Sequence, residues 1–345
     1  MMKKANDIFP KIQQLDEKFE YAYFSRNSLR KALLWTTNDF ETSLRYLTPS
    51  KYIPFSEIAA YYGIEKEWIE NEPKFIEYWD RDILYTELKN EECVRELYEK
   101  YYDCIKRISE EQYKLLVQYL KQLGISDNNI AIVDIGWHGT MQAYLEEVLT
   151  VSENNTIVTG YYVGIAPSTL VKGKTYGYLY HDASSKLRKE LLCFFGVIEK
   201  FFQSEEGSTK GYTFNKTHVS VAKEPYEYQD DSYVTHKLKV LQDGALNFIH
   251  EKIQCKDEKE DNLQTYAEPL IRFGKKPTLY ETKLFKFLYN TDGMKVYYLP
   301  QKPLYQYNLK EFLHALSNSC WKTGFMKSAF KLPISYYFIY EMMKK

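Results

Sequence analysis

The chain has 345 residues, and its 46 basic and 47 acidic side chains leave a formal net charge of −1. This length allows one large domain or two to three smaller ones, with ample surface to bury an apolar core. Because the charges balance, no global field attracts nucleic acid or an anionic membrane. We therefore expect no nucleic acid among the partners of this chain.

The cysteines and the first residues favour a reducing, cytoplasmic setting. The five cysteines are spread along the chain, and none has the CxxC or Cys/His spacing of a zinc site. The first residues, MMKKANDIFPKIQQLDEKF, lack the apolar segment of a signal peptide. We expect a cytoplasmic protein whose thiols are reduced.

The first 125 residues change from an extended to a helical pattern. The segment FEYAYFSR (19–26) is rich in aromatic residues and predicts a strand. Amphipathic units follow, and the stretch 87–123 predicts helices that end at Gly124 as a C-cap. We expect residues 1–26 to hold the first strand of an α/β core and residues 27–125 to form a helical insertion.

The central part of the chain predicts an alternation of strands and helices. Three segments have the apolar pattern of buried strands: IAIVDIG (130–136), TIVTGYYVGIA (156–166) and KTYGYLYHD (174–182). A helix to about Leu149 follows the first strand, and one long helix is predicted over 184–204. This alternation favours an α/β core with a largely parallel sheet over residues 126–220.

The remainder, residues 221–345, predicts a helical C-terminal region. Helices are expected near 232–253, 278–290 and 309–343. The last segment, SCWKTGFMKSAFKLPISYYFIYEMMKK (319–345), mixes lysines with aromatic and aliphatic residues. Two interpretations stay open for it: a helix that packs on the core, or a surface that lies against the inner face of a membrane.

One strand-to-helix turn concentrates residues that suit a phosphorylated ligand. In IAIVDIGWHGTMQ, Asp134 ends the strand, and Gly136 and Gly139 bracket Trp137 and His138 before the helix. Ligands of α/β sheets bind at the carboxyl ends of strands, and a helix N-terminus favours phosphate. Because the glycines allow close backbone approach, the turn predicts a site for a phosphorylated sugar. A tight turn that merely permits the bend is the alternative.

The side chains of this turn have candidate roles. Asp134 is placed to hold sugar hydroxyls or a divalent cation, and Thr140 can donate its hydroxyl to a phosphate oxygen. Gln142, in the first helical turn, can face the ligand. Trp137 either packs in the core or stacks on a sugar ring. Histidine titrates near neutrality, so His138 is a candidate for proton relay or for stabilising a leaving diphosphate.

The turn resembles a known phosphate-binding loop. VDIGWHGT (133–140) is similar to the phosphoribosyl-diphosphate loop of type I phosphoribosyltransferases, in which a strand, an acid, a short loop and Gly-Thr lead into a helix. In that family, loop amides hold the 5-phosphate and acids hold the ribose hydroxyls. The chain departs from the pattern at Ile135, where a second acid is usual, and at His138, where threonine is usual.

A second resemblance covers most of the chain. Three segments are similar to a bacterial polysaccharide-cluster family: YFSRNSLRKALL (23–34), IVDIGWHGTMQ (132–142) and VIEKFFQSEEGSTKGY (197–212). In that family this region is a glycan phosphoribosyltransferase, and it often follows a haloacid-dehalogenase-type phosphatase. The transferase places a 5-phosphoribosyl group from phosphoribosyl diphosphate on a glycan, and the phosphatase then leaves ribofuranose. No DxDx[TV] phosphatase signature occurs here, so the resemblance implies a separate phosphatase as partner.

The resemblance implies a fold and a reaction. The fold is α/β, Rossmann-like and phosphoribosyltransferase-like, with a largely parallel sheet, a helical insertion and a helical C-terminal region. The reaction is the Mg²⁺-dependent transfer of a phosphoribosyl group to a polysaccharide acceptor, which we expect to be lipid-linked. Two other functions stay open: a nucleotide-sugar-dependent glycosyltransferase of the same pathway, and a non-catalytic partner of the phosphatase.

Residues outside the turn complete the predicted site. Arg26 is expected to clamp the diphosphate, with a surface salt bridge as the alternative, while Arg30 and Lys31 are expected on a solvated face. Glu199, amid apolar FFGVIEKFF, is either surface-facing or the base for the acceptor hydroxyl. The expected catalytic residues are Asp134, Glu199 and His138. The expected donor-binding residues are Ser25, Arg26, Gly136, Trp137, Gly139, Thr140, Gln142 and Ser208.

Overall fold

The protein is a mixed α/β fold, described here by a computed structural model over residues 20–47, 51–126, 129–166, 168–254, 263–291 and 295–344. It is 54% helical, so packing between helices supplies most of the core. Its central sheet has three parallel strands.

Residues 26–122 are mostly helical, with one small antiparallel ladder between β1 and β2. The elements in chain order are α1 (Arg26–Lys31), α2 (Phe40–Ser43), β1 (Tyr52–Pro54), α3 (Phe55–Tyr61), α4 (Pro73–Tyr78), β2 (Asp82–Leu84), α5 (Glu92–Lys100) and α6 (Tyr102–Gln122). Gly124 follows α6 at φ +77°, and its N–H donates to the carbonyl of Lys121. The predicted C-cap is therefore confirmed.

The predicted first strand is wrong for residues 20–25, which have no strand assignment. Tyrosine hydroxyls, rather than a neighbouring strand, satisfy this backbone. The Tyr23 N–H donates to Tyr119 Oη at 3.0 Å, and the Tyr23 carbonyl accepts from Tyr212 Oη at 2.9 Å. Ser25 then begins α1 as its N-cap. The aromatic pattern that predicted a strand thus belongs to an extended segment fixed by side chains.

The central sheet is parallel, as predicted, with strands in the order β3–β4–β5. Its elements are β3 (Ile130–Asp134), α7 (Thr140–Val151), β4 (Val158–Tyr162) and β5 (Lys174–Gly177). Asp134 is the register partner of Tyr162, which in turn pairs with Gly177. The three strands therefore end level with one another, at the edge where α/β folds bind ligands.

One face of this sheet is open within the described part of the chain. Val133, Tyr161 and Tyr176 are register partners across the three strands, and each is about half exposed. The rings of Tyr161 and Tyr176 stack with centroids 5.3 Å apart. A doubly wound sheet carries helices on both faces, whereas α7 packs here on one side. The parallel sheet is confirmed, but a Rossmann-like arrangement is not.

The rest of the described chain adds helices of 6 to 23 residues and two antiparallel hairpins. The elements are α8 (Lys186–Leu191), α9 (Phe195–Phe202), β6 (Thr209–Asn215), β7 (His218–Lys223), α10 (Ser232–Gln254), α11 (Leu263–Lys275), α12 (Leu279–Leu284), β8 (Tyr289–Asn290), β9 (Val296–Tyr297), α13 (Leu309–Asn318), α14 (Lys322–Phe330) and α15 (Tyr336–Met343). Among the residues described, none of these helices has both the length and the apolar content that crossing a bilayer requires.

Two predicted long helices are broken into shorter ones. The helix predicted over 184–204 is interrupted between α8 and α9, where Phe194 turns inward and becomes fully buried. Its ring occupies the space beside Gly274, where an added Cβ would lie 1.9 Å away. The helix predicted over 309–343 is three helices, and buried Trp321 lies at the first break. The break between α8 and α9 is apolar, so hydrophobic periodicity did not reveal it. The break before α15 contains Pro333, a helix-breaking residue that the sequence does show.

Two hydrophobic cores meet at the turn after β3. The first joins α1, α6, α7 and the β6–β7 hairpin, and Met141 packs against it. The second joins α9 with the C-terminal helices, and Trp137 packs against that one. The first core includes residues from the predicted helical insertion (27–125) and from the predicted α/β core (126–220). The two segments therefore share one core, and the domain boundary between them stays a prediction. The turn lies at a junction, a common position for binding sites.

Candidate functional site

Asp134 organises the first half of the turn. Its Oδ1 accepts a hydrogen bond from the Gly136 N–H at 3.0 Å. A Cβ on Gly136 would lie 2.7 Å from Asp134 Oδ2, so glycine leaves room for the carboxylate. Burial raises the pKa of Asp134, while the amides of Gly136 and Ile135 and the charge of Arg26 oppose that shift. The turn thus holds a half-buried carboxylate at the strand end.

Gly139 sets the start of α7 in a left-handed conformation. Its φ is +67°, which residues with a Cβ adopt at a cost. A Cβ here would lie 3.0 Å from Val171 Cγ2 and 3.3 Å from Ile165 Cδ1. Thr140 follows as the first residue of α7. The second glycine therefore satisfies both a backbone and a packing requirement.

The loop after β4 clamps the second half of the turn. The Ala166 N–H donates to the Trp137 carbonyl at 3.0 Å, and the Ser168 N–H donates to the His138 carbonyl at 2.9 Å. His138 Nδ1 lies 3.2 Å from the Ala166 carbonyl oxygen. A carbonyl only accepts, so we assign the proton to Nδ1. The neutral ring of exposed His138 then offers Nε2 as its acceptor.

Trp137 joins the turn to helix α9. Its Nε1 donates to Glu199 Oε1 at 2.8 Å. Its ring stacks on Phe195 with centroids 4.0 Å apart, and it lies parallel to Tyr180 at 6.3 Å. The indole ring thus packs against other aromatic side chains of the protein, and stacking on a sugar ring stays a prediction. Glu199 is exposed, so the indole holds a solvent-accessible carboxylate beside the turn.

Helix α1 brings positive charge to Asp134. Arg26 is exposed, and its charge offsets part of the rise that burial causes in the pKa of Asp134 and in the pKa of Tyr144. Arg30, expected on a solvated face, is instead buried, with its guanidinium 5.1 Å from the centre of the Tyr61 ring. This expectation was wrong because α1 packs directly on α7. The two arginines lie four residues apart on one helix face, but this spacing does not show which of them is buried.

The start of the β6–β7 hairpin lies beside α1. Ser25 Oγ donates to the Thr209 carbonyl at 2.6 Å and accepts from the Ser28 N–H. Ser25 therefore serves as a cap and a tether, because its hydroxyl proton is already used. Ser208 is exposed next to this contact. The structure thus brings Ser25, Arg26 and Ser208 together.

Gln142 does not lie at the predicted site. It is fully buried, and its Oε1 accepts from Tyr162 Oη at 2.9 Å. Its Nε2 donates to Glu146 Oε1 at 2.8 Å. Glu146 also accepts from the N–H groups of Lys172 and Gly173, at 2.7 and 3.0 Å. This network ties α7 to the loop before β5, so the prediction that Gln142 faces a ligand was wrong.

The side chains of the turn do not form a complete metal site by themselves. The described residues contain no group of three or more histidine, cysteine, aspartate or glutamate side chains that could hold a metal ion. Mg²⁺ is often bound by one or two carboxylates together with substrate phosphates. Asp134 therefore fits the part of one carboxylate ligand to a Mg²⁺ ion that a substrate diphosphate also binds.

A groove lies between α8 and α11, and its lining contains no residue of the turn. It encloses about 1010 Å³ and carries basic and acidic residues: Lys186, Arg272, Lys275, Lys276, Glu190 and Glu268. Lys275 pairs with Glu190 at 2.6 Å, and Arg272 pairs with Glu281. These pairs offset two of the four positive charges, and the groove contains none of the residues that the sequence predicted for the donor site.

We expect Trp137→Phe to lower stability by about 1 kcal/mol. Phenylalanine keeps the stacking on Phe195 but removes the N–H that holds Glu199, and a hydrogen bond to a charged group contributes about 1.5–3 kcal/mol when buried. Trp35→Phe is the matched control, because Trp35 Nε1 is buried and has no partner among the described residues. Urea denaturation of both variants measures the difference. Equal losses in the two variants would contradict a positioning role for Trp137.

Comparison with protein-family models and with curated proteins finds no match for this chain. The candidate site is therefore defined by geometry. It comprises Asp134 at the end of β3, Arg26 at the start of α1, the backbone of the turn, and Glu199 on Trp137.

Proposed function

We propose that the protein is a glycan phosphoribosyltransferase. It transfers the 5-phosphoribosyl group of phosphoribosyl diphosphate to a hydroxyl of a bacterial polysaccharide acceptor, which we propose to be lipid-linked. The observation that carries the proposal is the position of Asp134, at the carboxyl end of a parallel strand and within the field of Arg26. The three segments that resemble the glycan phosphoribosyltransferase family support the same reaction.

The donor would lie over the turn. The exposed guanidinium of Arg26 can bind phosphate oxygens bidentately, and the start of α7 presents backbone N–H groups to a second phosphate. The half-buried carboxylate of Asp134 can accept hydrogen bonds from the ribose hydroxyls. We also propose the Rossmann-like, phosphoribosyltransferase-like assignment of the fold, supported by the parallel β3–α7–β4 unit.

Glu199 is the proposed base. The acceptor hydroxyl attacks ribose C1, the bond from C1 to the diphosphate oxygen breaks, and the hydroxyl proton passes to the Glu199 carboxylate. Positive charge develops on the ribose ring as diphosphate leaves, and His138 can donate to the departing oxygen when it is protonated. A Mg²⁺ ion bound with the diphosphate would neutralise part of its charge. A separate phosphatase would then remove the 5-phosphate.

Arg26→Ala is expected to weaken binding of phosphoribosyl diphosphate by about 1.5–3 kcal/mol, the value of a charge-assisted hydrogen bond. Stability should change little, because the side chain is exposed. Arg107→Ala, at another exposed arginine on α6, is the control. Isothermal titration of both variants measures the effect. If Arg26→Ala binds phosphoribosyl diphosphate with unaltered affinity, Arg26 does not contact the donor.

The reaction itself is tested by mass spectrometry. The protein is incubated with phosphoribosyl diphosphate, Mg²⁺ and a candidate glycan acceptor, and a product that gains one phosphoribosyl unit supports the proposal. Thermal shift with a panel of UDP- and GDP-sugars tests the nucleotide-sugar alternative. Stabilisation by a nucleotide sugar, with none by phosphoribosyl diphosphate, would replace the proposed donor.

A second function, as a non-catalytic partner of the phosphatase, is favoured by the open face of the sheet. Parallel sheets are normally covered on both faces, and Val133, Tyr161 and Tyr176 present an apolar row that another protein can cover. This function predicts that cells carrying Asp134→Asn make normal glycan, whereas Tyr161→Lys disrupts it. The transferase function predicts loss of ribosylation in Asp134→Asn.

A further inference from the structure

An apolar surface lies at the carboxy-terminal end of the described chain. We call it the C-terminal patch, and its exposed side chains are Phe330, Leu332, Ile334, Phe338 and Met342. Phe338 is 64% exposed and lies one helical turn before Met342, so α15 presents an apolar face to solvent. A concentration of exposed apolar side chains of this kind marks an interaction site.

The segment that carries the patch is well anchored. The opposite face of α15 buries Tyr336, Tyr337 and Tyr340 in the second core. The Leu332 N–H donates to Tyr336 Oη at 3.1 Å, and Lys327 Nζ donates to the Leu332 carbonyl at 3.0 Å. The exposed side chains therefore project from a fixed surface. Helix α15 cannot turn to bury them, because its other face is already packed in the second core.

The patch is bordered by positive charge. Four lysines surround it: Lys276 and Lys327 line the adjoining groove, and Lys331 and Lys344 flank the patch along the chain. None of the four takes part in an ion pair found in the described part of the chain. Glu341 is the acidic residue within α15. The local charge is thus positive, although the net charge of the whole chain is −1.

We propose that the C-terminal patch docks on the surface of an anionic lipid bilayer. The apolar side chains enter the boundary between headgroups and acyl chains, and the lysines contact the anionic headgroups. A second copy of the chain fits less well, because a symmetric contact would bring the lysines of both copies together. The inference uses no residue of the proposed transfer site and does not depend on that reaction.

Co-sedimentation of the full chain with vesicles tests the proposal. We expect binding to phosphatidylcholine vesicles that contain phosphatidylglycerol, and about tenfold or greater weakening on phosphatidylcholine alone or at high salt. The double variant Phe338→Ser, Met342→Ser should lose about tenfold or more in vesicle affinity, because apolar area drives insertion. Lys331→Glu should weaken binding to the anionic vesicles only.

Phe214→Ser is the matched control, because Phe214 lies in the β6–β7 hairpin and is 60% exposed. Circular dichroism and unfolding curves confirm that each variant is folded. The proposal is overturned by wild-type protein that does not sediment with anionic vesicles, or by equal losses in the patch variant and in Phe214→Ser. A patch variant that changes the oligomeric state in analytical ultracentrifugation, with vesicle binding unchanged, would instead assign the patch to contact between copies.

Discussion

Gly139→Val is expected to destabilise the fold by about 2–4 kcal/mol and to abolish phosphate binding. The left-handed φ of +67° is strained for a β-branched residue, at about 1–3 kcal/mol. The added methyl groups also meet Val171 and Ile165, which a Cβ already approaches at 3.0 and 3.3 Å. Displacing the loop after β4 would misplace the backbone N–H groups at the start of α7.

Gly124 provides the matched control for this substitution. It has a similar φ of +77°, but no atom lies within 4 Å of its added Cβ. Gly124→Val should therefore carry strain alone, about 1–2 kcal/mol. If the turn binds inorganic diphosphate as proposed, diphosphate should raise the melting temperature of wild type and of Gly124→Val, because a ligand that binds only the folded state stabilises it. The gentler Gly139→Ala should retain the fold and lose most of that protection. If diphosphate raises the melting temperature of Gly139→Ala as much as that of wild type, Gly139 shapes the turn but does not contribute to phosphate binding.

Asp134→Asn is expected to lower transfer by about 10²-fold or more while raising stability at neutral pH. The amide keeps an acceptor for the Gly136 N–H but removes the carboxylate that we propose to hold ribose. Proteins often trade stability for activity at such strained or charged sites. Here the gain arises because burial raises the pKa of Asp134, so ionising it opposes folding at neutral pH.

Because folding raises the pKa of Asp134, the stability of the wild-type protein depends on pH in a defined direction. Folded protein binds the Asp134 proton more tightly than unfolded protein, so wild-type stability falls as the pH rises from the ordinary pKa through the raised one. The advantage of Asp134→Asn should grow over that window and vanish below it. Asp182→Asn is the control, because Asp182 also accepts from a backbone N–H two residues on but is exposed. Urea denaturation as a function of pH measures both, and a destabilised Asp134→Asn would contradict the burial effect.

Local patterns predicted the part of the fold that holds the candidate site. The strand, the two glycines and the helix from Ile130 to Val151 have the order expected from the sequence, because apolar runs and glycine turns are short-range signals. Trp137 and Glu199 form a hydrogen bond although they are 62 residues apart in the sequence. The hydrophobic periodicity of a segment cannot predict a contact over that separation. Its existence depends on how α9 packs against the turn.

The failures of prediction share this tertiary origin. Gln142 occupies a helix N-terminus, which predicted ligand contact, yet the sheet and Glu146 use all of its polar atoms. Arg30 was predicted to be a surface residue because it is charged, but the packing of α1 on α7 buries it. Phe194 interrupts a periodic helix because its ring fills the space beside Gly274. In each case packing between distant segments outweighed the local pattern.

Isothermal titration of the protein with phosphoribosyl diphosphate and Mg²⁺ tests the central claim most directly, because the claim is that the turn after β3 and Arg26 hold this donor. We predict saturable binding to one site, weakened about tenfold or more in Arg26→Ala and in Gly139→Ala, and unchanged in Arg107→Ala and in Gly124→Ala. Absence of binding to the wild-type protein, or equal affinity in all four variants, would contradict the account.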